Sequence, residues 1–257
     1  MTKTLSEPDY LASALAAANL VSFADPAHPC RLLPGPGRID VELEDGDREA
    51  LAACGGSVLN VQLALRAAGH AATVDLLPDR TRPELLATVS IRARCLPSPQ
   101  ERALARAIPA VSAPPRGDGA GPVPAAVRQT LVRAAEREEA DLLLLEPPGE
   151  VTALRGVLSD AGWLPGAAAG PAGLVAVLSS YTDSLRGQVQ AGRALQRVLL
   201  TGCVQGARTA VLLRPDEVQK ARPELRTFLG HQLNPQAVLA FDYAPALPPR
   251  QRRATHR

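Results

Sequence analysis

The sequence predicts an α+β chain in which one helix–strand unit is used twice, so that two pseudo-equivalent halves sit in a single polypeptide as a pseudo-dimer. Three observations lead there. First, Ala191–Asp216 falls on Cys54–Asp79 without a gap after a shift of 137 positions, bringing Gly192 onto Gly55, Gly206 onto Gly69 and Pro215-Asp216 onto Pro78-Asp79. Arg82-Pro83-Glu84-Leu85 then recurs as Arg222-Pro223-Glu224-Leu225. Second, two copies favour two packed halves over a solenoid, which needs at least three stacked repeats. Third, helical periodicities alternate with short apolar or alternating runs that read as strands. The expected division is a first half over 1–108, a linker over 109–122, and a second half over 123–257.

Along the chain, Ser6, Pro8 and Asp9 suit the start of a first helix running to about Asn19. Leu20 to Arg38 is rich in proline and glycine and reads as a connection. Ile39 to Glu44 alternates apolar and acidic residues, the pattern of a half-exposed strand. Asp47 opens a long helix, apolar nearly all round and therefore buried, which stops at Gly69. Ala72–Leu77 is a strand, Pro83–Thr88 a short helix, and Val89–Arg94 a strand. Ser98 or Pro99 opens a helix to about Ile108. Val123–Glu139 is helical, with Val127, Leu131 and Ala134-Ala135 on one face. Leu142–Leu145 is a strand, Val151–Ala161 a helix and Leu174–Ser179 a strand, with Gly162–Gly173 a loose segment carrying the single tryptophan. A second long helix spans Ser184–Gly206, followed by a strand at Val211–Leu213, a helix over Pro215–Leu229 and a strand at Ala237–Tyr243. The tail is proline-rich, then basic.

Composition narrows the function classes. With 257 residues the chain buries a sizeable core. One tryptophan, three tyrosines and three phenylalanines leave that core to alanine, leucine and valine. A net charge of +2 gives no general reason to expect nucleic acid. Cys30, Cys54, Cys95 and Cys203 lack C-x-x-C spacing. Cys54 and Cys203 lie in apolar helices, where a buried free thiol is usual, so a reduced, cytoplasmic protein is expected. No uninterrupted apolar run reaches the roughly 18 residues of a membrane span. Leu11–Val21 is apolar enough for a signal peptide, but Glu7 and Asp9 precede it where positive charge belongs. No phosphate loop, G-x-S-x-G elbow or H-E-x-x-H pair is present. Neither nucleic acid nor membrane is expected as a partner.

Cys54-Gly55 through Asn60 to Pro78-Asp79, Pro97–Pro109, Val123–Glu139 and Ala191–Arg253, in that order, resemble the nitroreductase superfamily, most closely its Acg-type branch of FMN-binding proteins. In that branch one chain carries two nitroreductase-like halves that imitate the homodimer of ordinary members. The resemblance implies a nitroreductase fold and an FMN-dependent oxidoreductase that passes electrons from NAD(P)H to a small acceptor such as a nitro-aromatic or quinone. The family's S-x-H-N-x-Q-P-W segment corresponds to Val21–Arg31, which retains Ser22. Its R-T-N-R segment corresponds to Val111–Arg116, which retains Arg116. The paired arginines after the tail prolines correspond to Arg252 and Arg253. The losses motivate an alternative, a non-catalytic member that sequesters flavin or serves as a partner subunit, as a homodimer or with an active paralogue.

Candidate cofactor-binding residues are thus Arg252, Arg253, Asn60, Arg116, Gly55 and Ser22. Arg252 and Arg253 suit a flavin phosphate, or are a solvated basic tail. Asn60 stands at the family's position, or is a buried amide bonded to backbone. Gly55 and Gly56 let a second helix approach closely, or flank a flat ligand. Arg116 is a remnant of the linker's arginine-rich motif, or a surface residue. No catalytic acid or base and no metal ligand is indicated, which suits chemistry carried by a flavin.

Overall fold

The computed structural model describes residues 7–24, 30–43, 45–111, 121–145, 148–160, 174–230 and 232–243. At its centre are two long helices, α2 (Arg48–Ala67) and α6 (Leu185–Val204). Each has 20 residues and their bounds stand 137 positions apart, as do those of the strands that follow, β3 (His70–Leu76) and β7 (Ala207–Leu213). The ends are built alike. Asp47 caps α2 by accepting the Ala50 N–H, and Ser184 caps α6 by accepting the Gly187 N–H. Such a cap satisfies one orphan amide and contributes about 1 kcal/mol. Gly69 (φ 87°) and Gly206 (φ 75°) carry the chain out of each helix through left-handed backbone, which a Cβ disfavours.

The helices cross where both are narrowest. A Cβ built on Gly55 would stand 2.1 Å from the Val189 carbonyl oxygen, and one built on Gly192 would stand 2.0 Å from the Ala52 carbonyl oxygen. Val189 lies 137 positions from Ala52, just as Gly192 does from Gly55. The contact is therefore reciprocal, as in an interface between two-fold-related subunits. Of the two readings of Gly55, the structure shows the close helix approach.

Each long helix has its own antiparallel sheet. The first has the order β1-β2-β4-β3, with β1 at Arg31–Gly35, β2 at Arg38–Glu42 and β4 at Leu85–Arg94. The second has the order β5-β6-β8-β7, with β5 at Ala140–Leu145, β6 at Leu174–Ser180 and β8 at Asn234–Tyr243. In both, the long helix intervenes between the second and third strands. Val58, Val61 and Leu65 of α2 pack on Ile39, Val41 and Val89, while Leu195, Val198 and Leu199 of α6 pack on Leu178, Leu239 and Phe241. Each fully buried side chain of this size contributes roughly 1.5–3 kcal/mol. Helix α1 (Glu7–Ala18) lies on α2, and α4 (Ala125–Glu136) lies on α6. Helix α3 (Pro99–Val111) lies against both long helices, with Leu104 and Ile108 over Leu59, Leu63 and Leu200. Helices α5 (Gly149–Asp160), α7 (Pro215–Lys220) and α8 (Arg222–Phe228) complete the second half.

Several expectations need correction. The proline- and glycine-rich connection contains β1; Pro34 is tolerated there because β1 is an edge strand. The acidic residues of β2 are not on a solvent face. Asp40 and Glu42 are buried, Asp40 accepting the Thr88 hydroxyl at 2.7 Å and Glu42 paired with Arg31 at 3.1 Å and with Arg82. The helix expected over Pro83–Thr88 is the start of β4, because Leu85, Leu86 and Ala87 are buried in the first sheet. The same tetrad in the second half does open a helix, α8. The single helix expected over Pro215–Leu229 is interrupted at Ala221, ahead of Pro223. The helix expected to end near Ile108 continues to Val111. Cys54 is not a free thiol: it forms a disulfide with Cys30 that ties the segment before β1 to α2, whereas Cys95 and Cys203 are free. Ser6 and Gly162–Gly173 lie outside the described residues. By length and composition α2 is apolar enough to cross a membrane, and 67% of that stretch is buried inside the chain as its core helix.

The halves are also joined by a carboxylate clamp. Asp183, just before α6, receives both terminal nitrogens of Arg48 at the start of α2 (2.7 and 2.9 Å) and both of Arg222 at the start of α8. The Arg48 hydrogen bonds, followed by those of Arg222, outweigh burial and hold the Asp183 carboxyl well below the usual range.

Two predictions follow from this frame. Gly192→Ala pushes a Cβ into the Ala52 backbone and lowers stability by about 1–3 kcal/mol, whereas Gly156→Ala, where a Cβ meets nothing within 4 Å, does not; urea midpoints compare them. The Asp183 carboxyl titrates lower in the folded state than in the unfolded chain. Its contribution is therefore fully present above the ordinary aspartate value, about 3.9, and is lost as pH falls through the folded value. Asp183→Asn is expected to be less stable than the parent at pH 7, with the gap closing below about pH 4; a gap independent of pH contradicts the clamp.

Candidate functional site

Because α3 crosses both long helices, it leaves a cleft at each of its ends. The cleft at its C-terminal end has a volume of about 260 Å³ and is walled by Ser22, Ala110, Val111, Leu199, Cys203 and the first residues of β7. The cleft at its N-terminal end has a volume of about 470 Å³ and is walled by Gln62, Arg66, Glu101, Glu138, Arg193 and Arg197, with Gln100 and Arg137 at its edge. The two sit on equivalent faces of the long helices. Leu199 and Cys203 of the first stand 137 positions from Gln62 and Arg66 of the second. The smaller cleft mixes apolar side chains with Ser22, Arg208 and Thr209, and the larger is lined with four arginines.

Two of the differing positions matter for the clefts. Arg193 and Arg197 of α6 correspond to Gly56 and Asn60 of α2. Helices α1 and α4, both 12 residues long, stand 118 positions apart, which sets Leu20 against Glu138. On the α6 face, Arg193 donates through Nε to Glu138 Oε2 at 2.6 Å, and Arg197 donates through Nε to Glu138 Oε1 at 2.6 Å. On the α2 face, Asn60 Nδ2 donates to the carbonyls of Ala17 (3.1 Å) and Leu20 (3.0 Å). The place taken by the Arg193 side chain on one face is taken on the other by Val21 and Phe23, whose side-chain atoms would lie 2.9 and 3.4 Å from a Cβ on Gly56.

The residues singled out in the sequence fall into three groups. Ser22 and Asn60 are brought together by Gln196, which sequence reasoning missed. The Ser22 N–H and hydroxyl both donate to Gln196 Oε1 at 3.1 Å, and Gln196 Nε2 donates to Asn60 Oδ1 at 3.1 Å. Asn60 and Gln196 are fully buried, so a closed chain of bonds is what makes their burial tolerable. Gly55 lies at the helix crossing instead. Arg116, Arg252 and Arg253 lie outside the described residues. Arg116 falls between Val111, which walls the smaller cleft, and Gly121, which pairs with Tyr243. Arg252 and Arg253 follow Tyr243, which pairs with Ala207 in that same wall.

Sequence reasoning also missed Arg193, Arg197 and Glu138, because the repeat was read for what its copies share. The signal lay in the positions where they differ in polarity. In this cleft Glu101 is bonded by Arg66 at 3.1 Å and closes a capping box with Ser98. Burial raises the Glu101 carboxyl, but the Ser98 N–H and hydroxyl and the Arg66 guanidinium together bring it below the usual glutamate value. In the smaller cleft, burial pushes the Cys203 thiol up, which favours its protonated form.

No protein-family model and no curated protein matches this chain. Solved structures do. They include B. megaterium NfrA2, 13% identical over 60% of this chain and 75% of that one, with a TM-score of 0.43. The NADPH:FMN oxidoreductase of Vibrio harveyi, complexed with NAD+, is 15% identical over 58% and 73%, with a TM-score of 0.42. An FMN-dependent nitroreductase of Clostridium difficile is 12% identical over 53% and 85%, with a TM-score of 0.41.

Proposed function

We propose that this chain is a nitroreductase-like oxidoreductase that binds FMN in the cleft at the C-terminal end of α3, accepts reducing equivalents from NAD(P)H and delivers them to a small nitro-aromatic or quinone-type acceptor. One observation carries the reading. Described residues on the way to the family-like positions gather at this cleft: Ser22 and Val111 lie in its wall, Val111 being the last described residue before Arg116, and Ala207 of its wall pairs with Tyr243, the last described residue before Arg252 and Arg253. A reciprocal α2–α6 crossing between two sheets of like strand order supports the pseudo-dimeric nitroreductase architecture.

The residues present suit the group. Ala110, Val111, Leu199 and Val211 offer an apolar wall to a planar ring. The Ser22 hydroxyl, oriented by Gln196, keeps lone pairs for a ring N–H. We assign the phosphate to Arg252 and Arg253, with Arg116, since paired guanidiniums match phosphate geometry. Bound FMN supplies hydride acceptance and electron transfer, and the chain supplies position and electrostatics. Gln196 and Asn60 act at one remove: their bonded pair fixes the Leu20–Phe23 segment, and with it the angle of Ser22.

Flavin titration followed by fluorescence quenching tests this. The parent protein is expected to bind FMN and gain NAD(P)H oxidation. Arg252→Ala with Arg253→Ala is expected to weaken binding at least tenfold, about 1.4 kcal/mol. Ala110→Trp, which fills the cleft from an exposed position, is expected to abolish it. A folded protein with no flavin quenching and no rise in melting temperature sinks the proposal. Binding without NAD(P)H oxidation points to a flavin-sequestering protein instead.

A further inference from the structure

The larger cleft, at the N-terminal end of α3, is not used by this function. From its side chains we infer that it is a separate binding site for a phosphate-bearing small molecule. Four guanidiniums (Arg66, Arg137, Arg193, Arg197) face two carboxylates (Glu101, Glu138), which leaves a surplus of two positive charges around about 470 Å³. A phosphate monoester carries up to two negative charges near neutral pH. The most buried member, Arg193, is 8% exposed and engages Glu138 through Nε and Gln62 through Nη2 at 3.2 Å; its Nη1 is buried and has no partner among the described residues. A buried N–H of a charged group left unbonded is costly, and Arg193 is one of the residues that wall this cleft. Arg137, at the exposed rim, is bonded to the neutral Gln100 at 3.0 Å and so keeps its full charge for a ligand. Helix α3, 13 residues long, points its N-terminus and the positive end of its dipole into the same cleft.

The fold itself does not require these charges. At the equivalent positions of the other half stand Gly56, Asn60, Leu199 and Cys203, which pack the same face with one amide and no ion. A buried ion pair is weak support for stability and often does no better than apolar packing. Two arginines on one buried glutamate, beside two more, therefore fit a ligand better than they fit a core. Phosphate is favoured over a single carboxylate because the surplus is two charges and guanidiniums bind phosphate in paired bonds.

Calorimetric titration of the flavin-free protein with inorganic phosphate and, separately, with a nucleoside monophosphate, at ionic strength fixed with chloride, tests the inference. Saturable binding and a rise in melting temperature of a few degrees are expected for at least one of the two. Tighter binding of inorganic phosphate marks a free anion as the ligand, and tighter binding of the monophosphate marks an ester. Arg66→Gln with Arg137→Gln, the first half-buried in the wall and the second at the rim, is expected to weaken binding at least tenfold. Arg193→Lys, which keeps the charge on Glu138 but loses the fork, is expected to do the same while remaining folded. Ala110→Trp, in the other cleft, leaves phosphate binding unchanged, so failure here and failure of the flavin proposal are separable. Binding no stronger than that of chloride, or an Arg66 and Arg137 double variant that binds as the parent does, overturns the inference.

Discussion

Everything in this chain depends on two helices touching backbone to backbone. Gly55 and Gly192 remove the side chains that would hold α2 and α6 apart, and each helix then packs a glycine against the other's carbonyl. That proximity sets where the sheets stand, because each long helix carries its own four strands. It also sets where α3 must run, across both helices and over Leu59, Leu63 and Leu200. The two clefts are geometric consequences of that crossing. Glycine is costly within a helix, roughly 0.5–1 kcal/mol relative to alanine, and that cost is offset here by packing that no larger residue permits.

A true homodimer would carry the same side chains in both clefts. Here the two long helices differ at most aligned positions, those that face the clefts among them. The capping residues, the exit glycines and the crossing glycines keep their roles at a spacing of 137. Gly56 and Arg193, Asn60 and Arg197, Gln62 and Leu199, Arg66 and Cys203 do not. Burial demands a hydrogen-bond solution wherever a polar group is enclosed. The chain has found two different ones on equivalent faces: an amide chain through Gln196 on one, and guanidiniums around Glu138 on the other.

The repeat made the frame legible in the sequence. The two long helices and the presence of a strand after each were readable because their causes are local, an apolar run and a glycine exit, although β7 begins four residues before the expected Val211. The elements that were misread owe their structure to distant partners. Leu85-Leu86-Ala87 reads as helix beside Arg82-Pro83-Glu84, but β2 and β3 lie on either side and draw it into the sheet. The same tetrad at Arg222 lacks such neighbours and forms α8. β1 was hidden by Pro34, which is harmless on an edge. Cys54 looked like an inert thiol because its partner, Cys30, lies in a segment without periodicity. Of the site, Ser22 and Asn60 were visible as isolated polar residues. Gln196, which joins them, was not, since only the fold brings position 196 to position 22.

The asymmetry between the clefts also bears on what a single chain permits. Two identical subunits cannot change one cleft without changing the other, because a single sequence specifies both. A single chain has no such restriction, and here the crossing helices hold two clefts of different chemistry on equivalent faces. Helix α3 contributes its N-terminus to one and its C-terminus to the other. An anion seated at its first turn and a ligand seated against its last turn would bear on one rigid element of 13 residues. Any linkage between them would be mutual, each ligand altering the other's affinity by the same factor. It would run through the packing of Leu104 and Ile108 on the α2–α6 pair, because that contact is what keeps both ends of α3 in place.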